Sequence, residues 1–210
     1  MSVPKVVVFD LGKVLLDFDY RIAVRRLIGQ SKVTAEELRQ IIDQSALLLQ
    51  YESGTISTAQ FFEKVRAASG FRGEMEEFVE IFGDIFSPIP AMLRLHAELR
   101  SHQILTYVFS NTNDLAIKHI RGHYPFFKNF DGYVLSYEHG ALKPEPKIYS
   151  IVEELTRCCG EEILYLDDRP ENVAAGSERG WRTVCHTSPE ASRAQIAAHG
   201  LLPQAPQAAG

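Results

Sequence analysis

Val6-Val7-Val8-Phe9-Asp10-Leu11-Gly12 is the stretch on which the fold turns. Four β-branched or aromatic residues are too few for a helix and apolar on both sides, so they predict a strand buried on both faces. Such strands belong to parallel sheets covered by helices, and ligands sit at the carboxyl ends of those strands. Asp10 occupies that end. Gly12 lets the chain turn there and lets main-chain groups approach a ligand. On this stretch alone Asp10 could equally cap a strand or a helix. Three later segments repeat the arrangement.

Working outward, residues from about 20 to 87 show helical spacing and no strand-like run. Thr34-Ala35-Glu36-Glu37 reads as a helix start with acids in the first turn. Ser57-Thr58-Ala59-Gln60 has the form of a capping box. Phe78, Ile81, Phe82 and Ile85 fit one helical face, with a stop near Pro88 and Pro90. The expectation is a bundle of about four helices inserted after the first strand as a lid. From Pro90 onward helices alternate with strands, which end at Ser110-Asn111, near Leu135, at Asp167-Asp168 and near Cys185. That alternation implies an α/β fold: a Rossmann-like open parallel sheet with helices on both faces and right-handed crossovers, plus a small all-helical cap. The expected boundaries are 1–18 and 88–200 for the core, 19–87 for the cap, and 201–210 for a disordered tail rich in Pro, Ala and Gln.

The 210 residues allow one large domain or one with an insert, and 45% hydrophobic content suits a sizeable core. Net charge is −5 without a basic block, so neither nucleic acid nor an anionic membrane is an expected partner. No apolar run has the length of a membrane span. The first strand begins almost at once, and Cys158, Cys159 and Cys185 form neither a metal spacing nor a disulfide framework, so a reducing cytoplasm is the expected location. Oligomeric state is not legible.

In a parallel sheet Asp10, Ser110-Asn111 and Asp167-Asp168 gather at one edge, with Lys143 following a fourth strand. Three carboxylates there repel one another and need a cation beyond a lysine. Hard oxygen donors without histidine or cysteine favour Mg²⁺. A cation, a lysine and hydroxyl and amide donors suit a phosphoryl group. No Walker loop or G-x-G-x-x-G is present, so a nucleotide cradle is not indicated.

Asp10-Leu11-Gly12-Lys13-Val14, Ser110-Asn111, Lys143-Pro144 and Asp167-Asp168 resemble, in order, the four motifs of the haloacid dehalogenase superfamily. The resemblance spans roughly residues 5–187, helical cap included. It implies that Asp10 is a nucleophile forming a phosphoaspartate. It implies Mg²⁺ held by Asp10, Asp168 and the carbonyl of Gly12, with Asp167 a second carboxylate acting directly or through water. Ser110 and the main chain at Asn111 would hold phosphoryl oxygens, Lys143 would neutralise charge, and Asn172 matches a position that often orients the metal site. The expected substrate is a small phosphorylated metabolite.

One departure matters. Phosphatases of this superfamily usually carry a second aspartate where this chain has Gly12, and that aspartate protonates the leaving oxygen. Its loss removes general acid–base catalysis worth ~10²–10⁴-fold. A sugar 1-phosphate, with its less basic leaving oxygen, is therefore the favoured substrate. The D-L-G-x-V form also resembles a bacterial subgroup that includes glucose-1-phosphate phosphatases. Candidate replacement donors are Asp17, Asp19, Asp114 and His139. Tyr20, Arg21, Arg25, Gln44, Tyr51 and Glu52 are cap residues that could face the substrate. Competing readings are a metal-independent 2-haloacid dehalogenase, which also lacks the second aspartate, and a phosphometabolite-binding protein without turnover.

Overall fold

The Val-Val-Val-Phe run forms the central strand, and each of its residues is essentially inaccessible to water. The computed structural model describes residues 3–43 and 45–203. After β1 (Val6–Phe9) come β2 (Leu16–Phe18) and five cap helices: α1 (Tyr20–Leu27), α2 (Ala35–Ile42), α3 (Ala46–Glu52), α4 (Thr58–Ser69) and α5 (Met75–Gly83). The chain returns through β3 (Phe86–Pro88), α6 (Pro90–Ser101), β4 (Leu105–Ser110) and α7 (Asp114–His123). It continues with β5 (Gly132–Leu135), α8 (Ser136–His139), α9 (Pro146–Thr156), β6 (Ile163–Asp167), α10 (Pro170–Glu178), β7 (Arg182–Cys185) and α11 (Pro189–Ala198).

The main sheet is parallel, in the order β5-β4-β1-β6-β7. The chain builds outward from β1 on one side, then crosses back to build on the other, which leaves the crevice over β1. Alternation along β1 divides the core. Val7 and Phe9 pack with Met92, Leu95 and Leu99 of α6 and with Ile196 of α11. Val6 and Val8 pack with Ile148, Tyr149 and Val152 of α9 and with Trp181.

The cap has its own core, built on Phe61, Phe62, Phe78 and Phe82, with Leu115 of α7 reaching into it. Both expected helix starts are present. Thr34 and Ser57 accept from the backbone amides of Glu37 and Gln60, whose side chains bond back to the capping residues' own amides.

Three expectations are corrected. The cap contains five α-helices among the described residues rather than about four, because Ala46–Glu52 is a separate short helix capped by Ser45. The segment thought free of strands ends in one: Phe86–Pro88 pairs antiparallel with Leu16–Phe18, so the two connections to the cap run side by side. At three residues each, and with a proline in one, these strands carry no readable alternation. Leu201 and Leu202, expected to belong to a disordered tail, are instead buried against the α6–α11 face after Gly200 turns the chain at φ +81°. Residues 204–210 and Gln44 lie outside the described residues.

His96 of α6 is buried, bonded to Thr106 and stacked on Phe130 at 4.0 Å between ring centroids. Burial foremost, and then the nearby Arg100, push its pKa down to about 4 against the opposing pull of Asp131. The unfolded chain takes up this proton near pH 6.5 and the folded chain near 4. Stability is therefore lost as pH falls from about 6.5 towards 4, by ~3 kcal/mol from this residue. His96→Phe is expected to flatten that part of the unfolding free energy measured against pH, and an unchanged slope would refute the assignment.

Candidate active site

The register of the sheet brings the carboxylates together. Phe9 pairs with Leu166, so Asp10 and Asp167 stand level at the ends of adjacent strands, and paired residues of a parallel sheet point to the same face. One carboxylate oxygen each from Asp10, Asp167 and Asp168 falls within 4.8 Å of the others. Among the described residues this is the one cluster of three or more acidic, histidine or cysteine side chains close enough to share an ion.

Lys143 arrives on the loop between α8 and α9, and its side chain is only 2% exposed. Its Nζ donates to Asp10 Oδ1 at 2.9 Å, Asp167 Oδ2 at 2.6 Å and the Phe109 carbonyl at 2.9 Å. It also lies 5.0 Å from the Phe109 ring centroid. Burial acts to discharge this ammonium, but the two carboxylates outweigh it and hold its pKa above the ordinary lysine value.

Asn111 explains how the lysine loop is placed. Its Oδ1 accepts from the Lys143 backbone amide at 2.7 Å, and its Nδ2 donates to the Lys143 carbonyl at 3.0 Å. The expectation for Asn111 concerned its main chain, and the structure adds a side-chain clamp. Ser110 ends β4, buried, with Oγ 3.3 Å from the Asn111 carbonyl.

The carboxylates differ in environment. Asp167 is fully buried, and burial alone would raise its pKa. It is surrounded by donors: Lys143, the Tyr165 hydroxyl, the Arg169 amide at 2.9 Å, and Asn172 Nδ2 at 3.0 and 3.2 Å. These outweigh desolvation and hold it below the ordinary range. Among the described residues Asp10 receives only Lys143 and the Leu11 amide, the latter at 2.7 Å, so burial, with help from Asp167, raises its pKa despite Lys143. Asp168 is raised by burial and by Asp167. Burial and mutual repulsion thus lead two of the three carboxylates to resist ionisation despite Lys143, and the donor set is all oxygen. That combination fits a hard divalent cation such as Mg²⁺.

Asn172 could have been an exposed residue of α10 but is buried, 2% exposed, against Asp167. Tyr165 was missed. It lies two residues before Asp167 on the same strand, so period-2 spacing alone places both on one face. Gly12 differs more. A Cβ there would sit 2.8 Å from Phe18 Cε1, so an aromatic ring stands against the position where the resemblance leads one to expect a carboxylate.

Of the four replacement donors, Asp17 and Asp19 are the ones the structure argues against. Asp17 is paired with Lys13, and Asp19 caps α1 and is paired with Arg21; those bonds lower both pKa values, the wrong direction for an acid. Asp114 accepts from Lys118 at 2.9 Å and Thr58 at 3.3 Å. His139 ends α8, where its carbonyl accepts from Lys147. Of the cap residues, Arg21 and Arg25 are exposed. Tyr51 is buried, stacked on Phe61 at 4.5 Å.

An open parallel sheet with a helical cap inserted after its first strand, carrying an aspartate cluster and a buried lysine at the strand ends, defines a hydrolase class. Residues 4–180 match the haloacid dehalogenase-like hydrolase family, and the chain belongs to that family. It is similar to the D-ribitol-5-phosphate phosphatase of Bacteroides thetaiotaomicron, with 26% identity over 190 residues, 85% of this chain and 90% of that protein. The sesquiterpene phosphatase astK of Aspergillus oryzae is 25% identical over 177 residues, 84% and 86% of the two chains. A crystal structure of a HAD family enzyme from Bacteroides thetaiotaomicron, in complex with magnesium and inorganic phosphate, superposes with a TM-score of 0.76 at 25% identity, covering 88% of this chain and 94% of that one.

Proposed function

We propose that this chain is a Mg²⁺-dependent phosphatase acting on a small phosphorylated metabolite through a phosphoaspartate on Asp10. The observation that carries this reading is the Asp10–Asp167–Asp168 cluster with Lys143 buried inside it. Asp10, Asp168 and the Gly12 carbonyl would hold the cation. When bound, Mg²⁺ supplies the positive charge that keeps the carboxylates ionised and offsets charge on the phosphoryl oxygens. Asp167, already surrounded by donors, acts through Lys143 and Asn172, or through water. Lys143 fixes Asp10 Oδ1, which leaves the other oxygen to attack phosphorus. Ser110 and the Asn111 main chain, at the end of β4, would supply donors to phosphoryl oxygens.

The substrate proposed is a sugar or polyol phosphate. A sugar 1-phosphate leaves with least need of a proton, whereas a polyol phosphate, the class of the Bacteroides relative's substrate, needs a donor from elsewhere in the site. The chain's place in the glucose-1-phosphate phosphatase-like subgroup, the boundaries 1–18, 19–87 and 88–200, and a cytoplasmic setting belong to the same proposal. Among the described residues no helix is long and apolar enough to cross a membrane.

A phosphate-release screen over sugar 1-phosphates, polyol phosphates and simple alkyl monoesters tests the reading. Excess EDTA is expected to reduce release to background and added Mg²⁺ to restore it. Chelator-insensitive release of chloride from 2-chloropropionate, with no phosphatase activity, would favour the dehalogenase instead. Tight binding of a phosphorylated sugar with no release at high enzyme concentration would favour a binding protein.

A further inference from the structure

We propose that Glu52, at the end of cap helix α3, is the proton donor for the leaving oxygen, in place of the carboxylate absent at Gly12. The inference rests on the phosphatase reading above.

In-line displacement puts the leaving oxygen on the side of phosphorus away from Asp10, which is the side of the cap. Residues 51–54 are pinned to the core on that side. Ser136 Oγ lies 2.6 Å from the Glu52 carbonyl and 3.0 Å from that of Thr112, and it accepts from the Thr112 amide at 2.9 Å. Glu52 is thereby tied to the loop that begins at Ser110-Asn111. Tyr51 Oη accepts from the Leu115 amide at 3.2 Å. Gly54, at φ +69°, fits so closely that a Cβ would lie 2.1 Å from the Tyr137 carbonyl. The cap therefore meets the core at a built contact.

Glu52 is half-buried, and the positive charges acting on its carboxyl are Arg169 and Lys143, both from the core. Among the described residues no donor is hydrogen-bonded to it, unlike Asp17, Asp19 and Asp114. Burial outweighs the two cations and raises its pKa to about 7, so about half of it carries a proton in neutral solution, the balance suited to giving and retaking one. Tyr20 lies near enough that, after burial, the Glu52 charge is the next influence raising its phenol.

The step balances. An Asp10 oxygen bonds to phosphorus as the bond to the leaving oxygen breaks, and the Glu52 proton passes to that oxygen to give an alcohol. The Glu52 carboxylate then takes a proton from the water that attacks the phosphoaspartate. The bond from phosphorus to Asp10 breaks, inorganic phosphate departs, and both acids return to their first state.

Leaving-group dependence tests the proposal. First-turnover alcohol release is measured for wild type, Glu52→Gln and Glu52→Asp with glycerol 3-phosphate, and with 4-nitrophenyl phosphate, whose phenolate departs without a proton. Glu52→Gln is expected to slow glycerol release ~10²–10⁴-fold and nitrophenolate release far less, with an unfolding midpoint near that of wild type. Glu52→Asp is expected to recover part of the glycerol rate. Equal losses on both esters, a rise in KM alone, or a wild type that cleaves only the aryl ester would overturn the role of Glu52 and leave the phosphatase reading standing. A wild type that releases phosphate from neither ester, nor from any substrate in the screen, defeats both.

Discussion

Asp10→Asn is expected to reduce phosphate release by at least ~10⁴-fold, the scale of loss when a catalytic nucleophile is removed. The amide is neither charged nor able to form the acyl phosphate. Its structural cost is small. Asp10 is one of three clustered carboxylates, and its burial already opposes ionisation. Lys143 keeps Asp167 and the Phe109 carbonyl. Without metal the variant should unfold at or above the wild-type temperature, and the rise in unfolding temperature on adding Mg²⁺ should shrink. Phosphate release within a hundredfold of wild type would remove Asp10 from the role of nucleophile.

Lys143→Met is expected to be damaging in a different way. It removes the one buried cation that lies between Asp10 and Asp167, leaving both carboxylates buried and uncompensated. Breaking such an arrangement costs ~3–5 kcal/mol, which for a chain of this size is roughly 10 °C in unfolding temperature. Added Mg²⁺ should restore part of the stability and little of the activity, since Asp10 Oδ1 is no longer held. The double variant Asp10→Asn/Lys143→Met should be more stable than Lys143→Met alone, because one of the stranded charges has gone. A metal-free Lys143→Met protein that melts with the wild type would show that the lysine does not balance these acids.

Much of the architecture was legible because it rests on local patterns. Val-Val-Val-Phe could bury both faces only in a covered parallel sheet, and the structure places it at the centre. The capping residues Thr34 and Ser57 act within their own turns. The connection β2–β3 was not legible, because residues 16 and 88 become neighbours only when the cap folds back. The burial of Leu201 and Leu202 was likewise hidden in a stretch whose composition pointed to disorder.

The site divides along the same line. That Asp10, Asp167 and Lys143 share one edge followed from strand-end position. Sequence could not say that Asp167 is surrounded by Tyr165, Asn172, Arg169 and Lys143 while Asp10 has few partners, the asymmetry on which the roles proposed for the two acids rest. Nor could it say that Phe18 stands against Gly12, or that Glu52 is carried by Ser136 to the loop after β4. The sequence by itself determined the sheet, the inserted helices and the family of acids at the strand ends, since periodicity and strand polarity are properties of neighbouring residues. Tertiary structure alone decided each acid's company, because desolvation and hydrogen bonding depend on residues as far apart in the chain as Asp10 and Lys143, 133 positions.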